Sequence, residues 1–559
     1  MKLTSEDRTK FLSRHALLKA ERSQWDQQWK EIAKNVRPRA YRWPGDRQTA
    51  GQKKNRDIIN TTPTKASRTL SSGMMSGITS PSRPWFRLTT EDLSASEEQT
   101  VKEWLSIVEQ RMFQVIAKSN VYNTLFMVYQ DLGDFGTAAM FVENDEQDVV
   151  RAYHLPLGQY CLISGARQDI VGIYREVEMS VSQMVELFGL EGPTRVSYQV
   201  ADLYRQGRYD QWFWVVHLIC PNEQFDEKAR GTKGMKYQSV WFEKNGNEPD
   251  TFLRIGGFKT FPVMAPRWST TGEDTYGNSP GFDGLGDMNM LQIMEKRKLQ
   301  NIDKATDPPM KGPSSLMGAR ISLLPGDITF VDALSPGQSF MPAMEVNPNT
   351  ILILGNEIKN VEQRINADYF ADLWLSIIQS EGTMTAREVI ERREEKMLQL
   401  GTVLERLHRE LLSPLLDRIY EIMLERGMIP KPPQEIQGSP LKVEYISIMA
   451  QAQKLLGTTG IERFFAFAGN LSQIHPDVLD KVDFDEAVDR YGDMLGVPPS
   501  MIRADESVVA MRKQKRAQQA QQAQMEQAQA AAKTGKDLAN SDLSGDNALS
   551  TMLKGYGAA

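Results

Sequence analysis

The sequence has only two cysteines in 559 residues, and it has no long apolar run. Cys161 and Cys220 both lie in apolar, strand-like stretches, so we expect buried free thiols and a reducing compartment rather than a disulfide. No window approaches the roughly eighteen consecutive apolar residues that a membrane-spanning helix needs, so no membrane contact is expected. The first residues lack the apolar segment of a signal peptide, and secretion by that route is not expected.

Charge of one sign is not in excess either. Lys and Arg number 66 against 72 Asp and Glu, which gives a net charge of −6 and a pI near 5.7. Tight binding of a phosphate backbone needs clustered positive charge, so the composition argues against a protein whose main task is gripping nucleic acid. It leaves room for a protein past which nucleic acid slides. The length predicts roughly three or four domains.

The usual signatures of catalysis and metal binding are also missing. There is no Gly-x-x-x-x-Gly-Lys-[Ser/Thr] phosphate-binding loop and no His-Glu-x-x-His motif. The histidines show no ligand spacing; they are His15, His154, His217, His408 and His475. We therefore expect a protein that is not an enzyme, with no metal and no cofactor.

One catalytic pattern is present, since residues 277–281 read Gly-Asn-Ser-Pro-Gly and fit Gly-x-Ser-x-Gly. A nucleophile elbow needs a buried strand before the serine, but the preceding residues are STTGEDTY. Pro280 would also remove the backbone donor of the oxyanion hole. We prefer a structural interpretation in which Ser279 is the N-cap and Pro280 the first residue of a helix. A serine hydrolase remains an alternative.

The first half of the chain predicts a mixed α+β body. A helix over about 5–36 carries an alternating four-and-three stripe that suits packing along another helix, and the basic residues 37–57 are predicted to form a surface loop. Residues 138–266 hold short β-like runs between turn residues. Further helices are predicted at 97–118, 120–132, 181–189 and 195–206. Together with the helices further along the chain, this predicts an α+β protein that is mainly helical.

Two equal helices around an insert follow. The first runs over 279–305 and the second over 351–375, each about 37 Å long at 1.5 Å per residue. Between them, residues 306–350 are rich in Pro and Gly and contain short strand-like runs. The second helix is followed by a short polar loop over 376–385.

The next stretch, Met384 to Gly427, predicts one very long helix. Thr385 and Glu388 form a capping box at its start, and Gly427 provides a left-handed stop. Pro414 lies in the interior, so we expect a kink near residues 411–413. An apolar stripe runs along the helix through Met397, Leu400, Leu404, Leu407, Leu411, Leu415, Ile419 and Ile422.

The C-terminal part is less regular. Helical segments are predicted at about 448–456, 460–470 and 484–496. Residues 512–533 are a Gln/Ala tract that favours helix but has almost no apolar face, so alone it would be marginal. The last 25 residues are predicted to be a flexible tail.

Several of these stretches carry a resemblance. They are SSGMMSGITSPSRPWFRL at 71–88, DFGTAAMFVE at 134–143, YGNSPGFDGLGDMNML at 276–291, DPPMK at 307–311 and the long-helix sequence at 382–427. On these pieces the chain resembles the head-to-tail connector, or portal, proteins of short-tailed bacteriophages, over roughly residues 5–435. The last piece is the most specific.

The resemblance implies a ring of twelve copies at one capsid vertex, with double-stranded DNA passing through its channel. Its implied parts are a wing (1–278), stem helices (279–305 and 351–375), a clip (306–350), a tunnel loop (376–385), a long kinked wing and crown helix (386–429), a crown (430–511) and a Gln/Ala-rich helix or barrel with a tail (512–559). Implied partners are the terminase large subunit, the major capsid protein and scaffold, tail adaptor or nozzle proteins, and internal core proteins. The implied location is the virion, after assembly in the host cytoplasm. A coiled-coil scaffold without a channel remains a second alternative.

The tunnel loop would be the part that meets DNA. Its candidate residues are Gln379, Ser380, Glu381, Gly382 and Thr383, which are short and polar. Glu381 is their only charge, so we predict a ring of carboxylates that repels phosphate and keeps DNA contacts transient. Alternatively, Glu381 simply complements the N-terminal dipole of the next helix.

Overall fold

The computed structural model divides into two compact units, each of which is described by itself. The residues described are 3–41, 51–90, 98–192, 194–248, 250–311, 341–342, 347–379, 400–436, 441–445, 461–471, 482–495 and 505–539. The first unit comprises Met1–Thr89, Ile107–Lys431 and Leu441–Ala450, and the second comprises Thr90–Ser106, Pro432–Pro440 and Gln451–Ala559.

The centre of the first unit is a five-stranded antiparallel sheet with strand order β4-β5-β6-β7-β8. Its strands are β4 (Tyr160–Ser164), β5 (Ile170–Ser180), β6 (Trp212–Pro221), β7 (Tyr237–Glu243) and β8 (Arg254–Phe258). Alternate residues point to one face, which buries a cluster that includes Cys161, Tyr174, Val216 and Phe242. Both cysteines are buried and free, as expected.

The N-terminal helix α1 (Ser5–Asn35) has the predicted bounds but a different main partner. Its first half lies on the sheet, where Phe11 and Leu18 pack against the apolar cluster and His15 stacks on Tyr174. Its second half meets other helices, through Trp25, Trp29 and Asn35. A stripe of alternating spacing fits an apolar sheet face as well as a helix, and the spacing alone does not distinguish the two.

Further helices and two smaller sheets follow along the chain. The helices are α2 (Thr62–Gly77), α3 (Gln99–Lys118, in this unit from Ile107), α4 (Val121–Phe135), α5 (Val181–Phe188) and α6 (Tyr198–Arg205). A three-stranded sheet has the order β3-β2-β9, formed by β2 (Ala139–Asp145), β3 (Val149–Leu155) and β9 (Val263–Met264). Strand β1 (Phe86–Thr90) pairs with β12 (Leu441–Tyr445). The predicted mixture of helix and sheet is therefore confirmed.

Two long helices follow the sheets. A short helix α7 (Pro280–Asp283) leads into α8 (Leu285–Thr306), and α9 (Pro348–Asp368) runs beside α8. At their far ends β10 (Met310–Lys311) pairs antiparallel with β11 (Met341–Pro342), so the two helices are antiparallel. The predicted pair of helices flanking an insert is confirmed, while residues 312–340 and 343–346 lie outside those described.

The sequence predicts that the second helix continues to Trp374, but the observed helix is interrupted before that residue. It stops at Asp368, turns at Tyr369 and Phe370, and resumes as α10 (Ala371–Gln379). The predicted loop over 376–385 is also wrong at its start, because α10 continues to Gln379. Leu373, Trp374, Ile377 and Ile378 repeat at helical spacing, which explains the extension.

The helix near the C-terminus of this unit continues past Pro414 and is irregular just before it, where the sequence predicts a kink. Helix α11 (Gly401–Leu407) passes through a wider π-helical turn at His408–Leu412 into α12 (Ser413–Glu425). Pro414 lacks the N–H that would bond to the carbonyl four residues before it, and the wider turn accommodates that loss. Gly427 has φ +67°, the predicted left-handed stop.

The apolar stripe on this helix is mostly buried. Leu407, Leu411, Leu415, Ile419 and Ile422 are buried, and α12 packs on β2 and β3. Leu404, singled out from the sequence, is only half-buried. The capping-box residues Thr385 and Glu388 lie outside the described residues.

The second unit is described mainly as helices, at 461–471, Phe484–Leu495 and Asp505–Ala539. Arg512 joins the last two through a bidentate ion pair with Asp485, at 2.5 and 2.8 Å. The Gln/Ala tract is helical, and residues 509–530 are all exposed. Within the ranges described, no helix is both long and apolar enough to cross a membrane.

Candidate functional site

Three distant stretches of the first unit meet at one place, which we call the Asp134 junction. It comprises the C-terminal end of α4 (Asp131 to Gly136), the segment Gly277–Gly281 before α8, and Arg37 just after α1. Two of these stretches belong to the short sequence pieces that carry the resemblance.

Glycines allow the backbones to approach at this junction. A Cβ atom added to Gly136 would lie 2.2 Å from the carbonyl oxygen of Gly277, and one on Gly281 would lie 2.0 Å from that of Asp134. Real Cβ atoms do not come so close, so a side chain at either position forces the segments apart. Gly136 also has φ +71° and ends α4 in the left-handed conformation that favours glycine.

Ser279 stands at this contact, and its predicted N-cap position is confirmed, although its side chain does not cap the helix. It occupies the N-cap position of α7, and its carbonyl accepts from the N–H groups of Phe282 and Asp283. Its hydroxyl makes no capping bond and instead donates to the carbonyl of Asp134 at 2.9 Å. The predicted side-chain cap is therefore wrong, because the hydroxyl serves the end of a different helix. Pro280 lies in the first turn of α7, as predicted.

The last carbonyls of α4 have no partners within their own helix, which is a general property of helix ends. The hydroxyl of Ser279 donates to the carbonyl of Asp134, and the indole Nε1 of Trp29 donates to the carbonyl of Phe135 at 3.0 Å. The N–H of Trp268 satisfies the carbonyl of Gly136 at 2.9 Å. Each partner comes from another part of the chain, so the end of α4 fixes three segments at once.

A buried charge cluster lies directly beneath these contacts. Arg37 donates from Nη2 to Asp131 at 2.8 Å and from Nε to Asp134 at 2.6 Å, and both carboxylates are almost fully buried. The Nε2 atom of His154 lies 2.7 Å from the other oxygen of Asp131. Buried charges are tolerated only when they are paired in this way.

The two carboxylates have opposite pKa shifts. Burial would raise the pKa of Asp131, but His154 and Arg37 outweigh it, so that pKa lies below its ordinary value. Burial dominates at Asp134 and raises its pKa, although Arg37 and the hydroxyl of Ser67 oppose the shift. Burial also acts on Arg37, yet its two carboxylate partners raise the pKa of the guanidinium. The Arg37 guanidinium therefore pairs with two carboxyl groups whose pKa values are shifted in opposite directions.

Aromatic rings join the junction to the central sheet. Tyr276, directly before the glycine segment, packs edge-on to Trp29, with ring centroids 5.2 Å apart. Its buried hydroxyl accepts a hydrogen bond from the N–H of Leu162 on β4 at 3.1 Å. The rigid sheet thereby fixes the start of α7 and α8.

A second set of close contacts holds α2. A Cβ atom on Gly73 would lie 2.2 Å from the ring of Trp374, and one on Gly133 would lie 2.6 Å from Leu70. Gly73 belongs to the SSGMMSG piece that carries the resemblance. Because α2 packs along α4 and the hydroxyl of Thr79 lies 3.0 Å from that of Tyr129, three of the resembling pieces meet around α4.

Of the predicted DNA-contacting residues, the structure describes only the backbone of Gln379. Gln379 is the last residue of α10, and Ser380, Glu381, Gly382 and Thr383 lie outside the described residues. Arg37 was predicted to lie in a surface loop, and neither it nor the acids Asp131 and Asp134 on α4 were predicted to belong to a site. The junction could have been predicted from two short pieces, DFG at 134–136 and GNSPG at 277–281. Each of them combines glycine with a polar residue.

The junction is not a catalytic centre of the serine-hydrolase type. Ser279 is only 1% exposed, and its hydroxyl proton is engaged by a backbone carbonyl. The hydrolase alternative is therefore not supported. Among the described residues, no group of three or more His, Cys, Asp or Glu side chains is arranged to hold a metal ion.

Comparison with known proteins places these features in a family. The family described as bacteriophage head to tail connecting protein matches residues 8–502. The chain belongs to this family. The portal protein of Salmonella phage epsilon15 is 43% identical over 559 residues, covering 100% of both chains. A protein of Bordetella phage BPP-1 named "Probable portal protein" is 40% identical over 553 residues, 98% of each chain. The resemblance found from the sequence is confirmed, and every segment of the junction lies within the match.

The glycine contacts generate a prediction for this connector. Gly281→Ala should lower the free energy of unfolding by about 1–3 kcal/mol or more, because the methyl group overlaps the Asp134 carbonyl. Ser279→Ala should cost about 1 kcal/mol through the lost hydrogen bond. Gly286→Ala is the matched control, since open space surrounds that position in α8 and the change should stabilise by about 0.4–1 kcal/mol. Urea unfolding of the full chain gives all three values, and equal stabilities for Gly281→Ala and Gly286→Ala would contradict the contact.

The charge cluster generates a second prediction. Arg37→Met should cost about 3–5 kcal/mol at pH 7, because it leaves the buried Asp134 carboxylate without its cation and Asp131 with His154 as its remaining partner. The pKa of the Asp134 carboxyl, which burial already raises, then rises further, so the folded state binds more protons. The variant should therefore regain stability as the pH falls from 7 towards 5.

Urea unfolding of the Arg37→Met variant across this pH range checks the sign of the effect. Adding Asp134→Asn removes the unpaired charge and should recover part of the loss at pH 7. A loss that is independent of pH and unchanged by Asp134→Asn would mean that Arg37 acts only through its packing.

Proposed function

We propose that the chain is a portal subunit, twelve copies of which form a ring at one capsid vertex. Double-stranded DNA enters through the channel of this ring during packaging by the terminase large subunit, and it leaves through the same channel at ejection. The ring also serves as the attachment platform for the tail. Full-length similarity to two proteins named as portals supports this proposal.

The observation that carries ring formation is the exposed apolar surface of α8 and α9. Leu352 and Ile353 on α9 are 67% and 63% exposed, and Ile293 on α8 is 51% exposed. These side chains lie away from the faces of α8 and α9 that bury Leu291 and Val361. Apolar residues on two otherwise polar helices suit a protein surface that another copy covers.

The polar contacts between α8 and α9 keep the helix pair aligned without using that outer surface. Arg364 donates two hydrogen bonds to Asp287, at 2.8 and 3.0 Å. Asn60 donates to Glu362 on α9 at 2.8 Å and to Glu295 on α8 at 3.2 Å. A helix pair held in this way can enter a ring as one stiff element, so we assign it to the stem.

The other parts follow the order of the chain. Residues 1–278 form the wing, 306–350 the clip, and the tunnel loop, predicted over 376–385, starts after Gln379. Residues 386–429 form the long wing and crown helix, 430–511 the crown, and 512–559 a Gln/Ala-rich helix or barrel with a tail. We propose the clip as the surface for terminase and then for tail adaptor or nozzle proteins. The wing meets the major capsid protein and scaffold, and the crown meets internal core proteins, after assembly in the host cytoplasm into the virion.

The channel needs a wall that does not hold DNA. A phosphate contact repeated twelvefold would brake translocation, whereas carboxylates keep contacts transient. The net charge of −6 agrees with such a wall. We therefore propose that Glu381 lies at or near the narrowest point.

Assembly is tested by Leu352→Asp. A carboxylate on the surface between copies should block ring formation, because it would be buried without a partner. Mass photometry and negative-stain images should then show single chains of 63.3 kDa instead of rings. The matched control is Leu187→Asp on α5, where the leucine is also exposed, at 44%, but lies outside the helix pair. Rings that persist in Leu352→Asp, or are lost equally in both variants, would place the interface elsewhere.

DNA passage is tested by Glu381→Lys. Rings should form normally, but packaging and ejection should be impaired, most severely at low salt, where attraction between lysine and phosphate is least screened. Glu381→Gln is the control that removes charge without adding attraction, and its defect should be smaller. Normal packaging and infectivity of the lysine variant at low salt would show that Glu381 does not meet DNA.

A further inference from the structure

The bend between α9 and α10 is strained at a single residue. Phe370 has φ +52°, a left-handed conformation that residues other than glycine rarely adopt. The N–H of Phe370 bonds to the carbonyl of Ala367, and its own carbonyl accepts from Trp374, so the chain turns within two residues. The next helix then packs on α2 instead of continuing along α8.

The local sequence does not call for a bend here. Residues 356–379 contain neither glycine nor proline, and their apolar spacing predicts an unbroken helix to Trp374. A helix with no breaker favours continuation, because each further residue adds a hydrogen bond. Contacts with other parts of the chain must therefore hold the bent form.

Those contacts come from three sides. The ring of Trp374 lies against the backbone of Gly73 on α2, where even one methyl group would not fit. Tyr369 is fully buried at the turn. Phe370 packs beside Trp268, with ring centroids 6.1 Å apart. Gly73 thus provides the seat for the residue that anchors α10.

The packing of Trp374 on Gly73 also has an unfavourable feature. Trp374 is only 1% exposed, and within the described part of the chain its buried indole Nε1 has no hydrogen-bond partner. A buried donor without a partner destabilises the form that buries it. The bent form therefore combines a strained backbone and an unpaired donor with tight apolar packing.

We propose that the α9–α10 bend is a two-state latch, closed when Trp374 lies on Gly73 and open when α9 and α10 join as one straight helix. Opening relieves the left-handed conformation at Phe370 and exposes the indole N–H to water. Closing buries the ring again on α2. The two forms differ in the direction in which the chain leaves the helix pair, and the latch does not depend on ring formation.

The test measures the distance between spin labels at Asn356→Cys and Leu375→Cys, both at exposed positions. In a straight helix these residues are about 28 Å apart, at 1.5 Å per residue, and the bend shortens that distance. Cys161 and Cys220 are buried, so the otherwise unsubstituted chain is the labelling blank. Labelled chains are diluted with excess unlabelled chain, so that only distances within one subunit are recorded.

Gly73→Ala should displace Trp374 and shift most of the distance distribution to the longer, straight-helix value. Ser72→Ala is the matched control, since it adds no atom and changes an exposed position in the same helix. It should keep the distribution of the parent chain. A folded Gly73→Ala chain that keeps only the short distance would overturn the latch.

Trp374→Ala provides an independent arm if Gly73→Ala fails to fold. Removing the ring empties the seat without adding a clash, so the longer distance should again dominate. The double variant Gly73→Ala with Trp374→Ala should match Trp374→Ala alone, because the methyl group then meets nothing. A short, unchanged distance in Trp374→Ala would show that the bend does not depend on this contact, and the proposal would fail.

Discussion

The first unit depends on one partly buried guanidinium held between two buried acids. Arg37 follows α1, while Asp131 and Asp134 lie on the last turn of α4, so their ion pairs fix the end of one helix against the end of another. The acids cannot be left alone in the interior, since an unpaired buried charge costs more than most single contacts supply. The cation therefore acts as a condition for closing the junction, and the hydrogen bonds from Ser279 and Trp29 depend on that closure.

Steric limits define the same place as strongly as charge does. Gly136, Gly277 and Gly281 allow two backbones to touch, and Gly73 does the same for α2 and Trp374. Such positions cannot change singly, because a side chain on one segment needs a gap in the other. This explains in physical terms why short pieces from separate parts of the chain carry the resemblance to connectors.

Much of the fold could be predicted from sequence, and the failures have definite causes. The bounds of α1, the helices flanking an insert and the irregular turn before Pro414 follow from local rules, namely periodicity and the missing N–H of proline. The predictions of a side-chain cap at Ser279 and of an unbroken helix to Trp374 were wrong because contacts with distant residues override local preference. The hydroxyl of Ser279 donates to the carbonyl of Asp134, and the indole of Trp374 packs on Gly73. Arg37 was missed for the same reason, since a basic stretch gives no sign that two acids about a hundred residues later will bury one of its members. Pairing between segments is the information that one sequence does not contain.

The long separation between the partners in the junction also bears on how the chain folds as it is made. Ser279 follows Asp134 by 145 residues, so the last carbonyls of α4 wait for their partners while the whole sheet region is synthesised. During that interval Arg37 and both acids are present without the covering segment, and the buried cluster stays open to water. Contacts of such long sequence separation form slowly. The first unit can therefore lock only after about half of the polypeptide has left the ribosome, and synthesis that stops before Gly281 leaves a fragment with an exposed, charged seam.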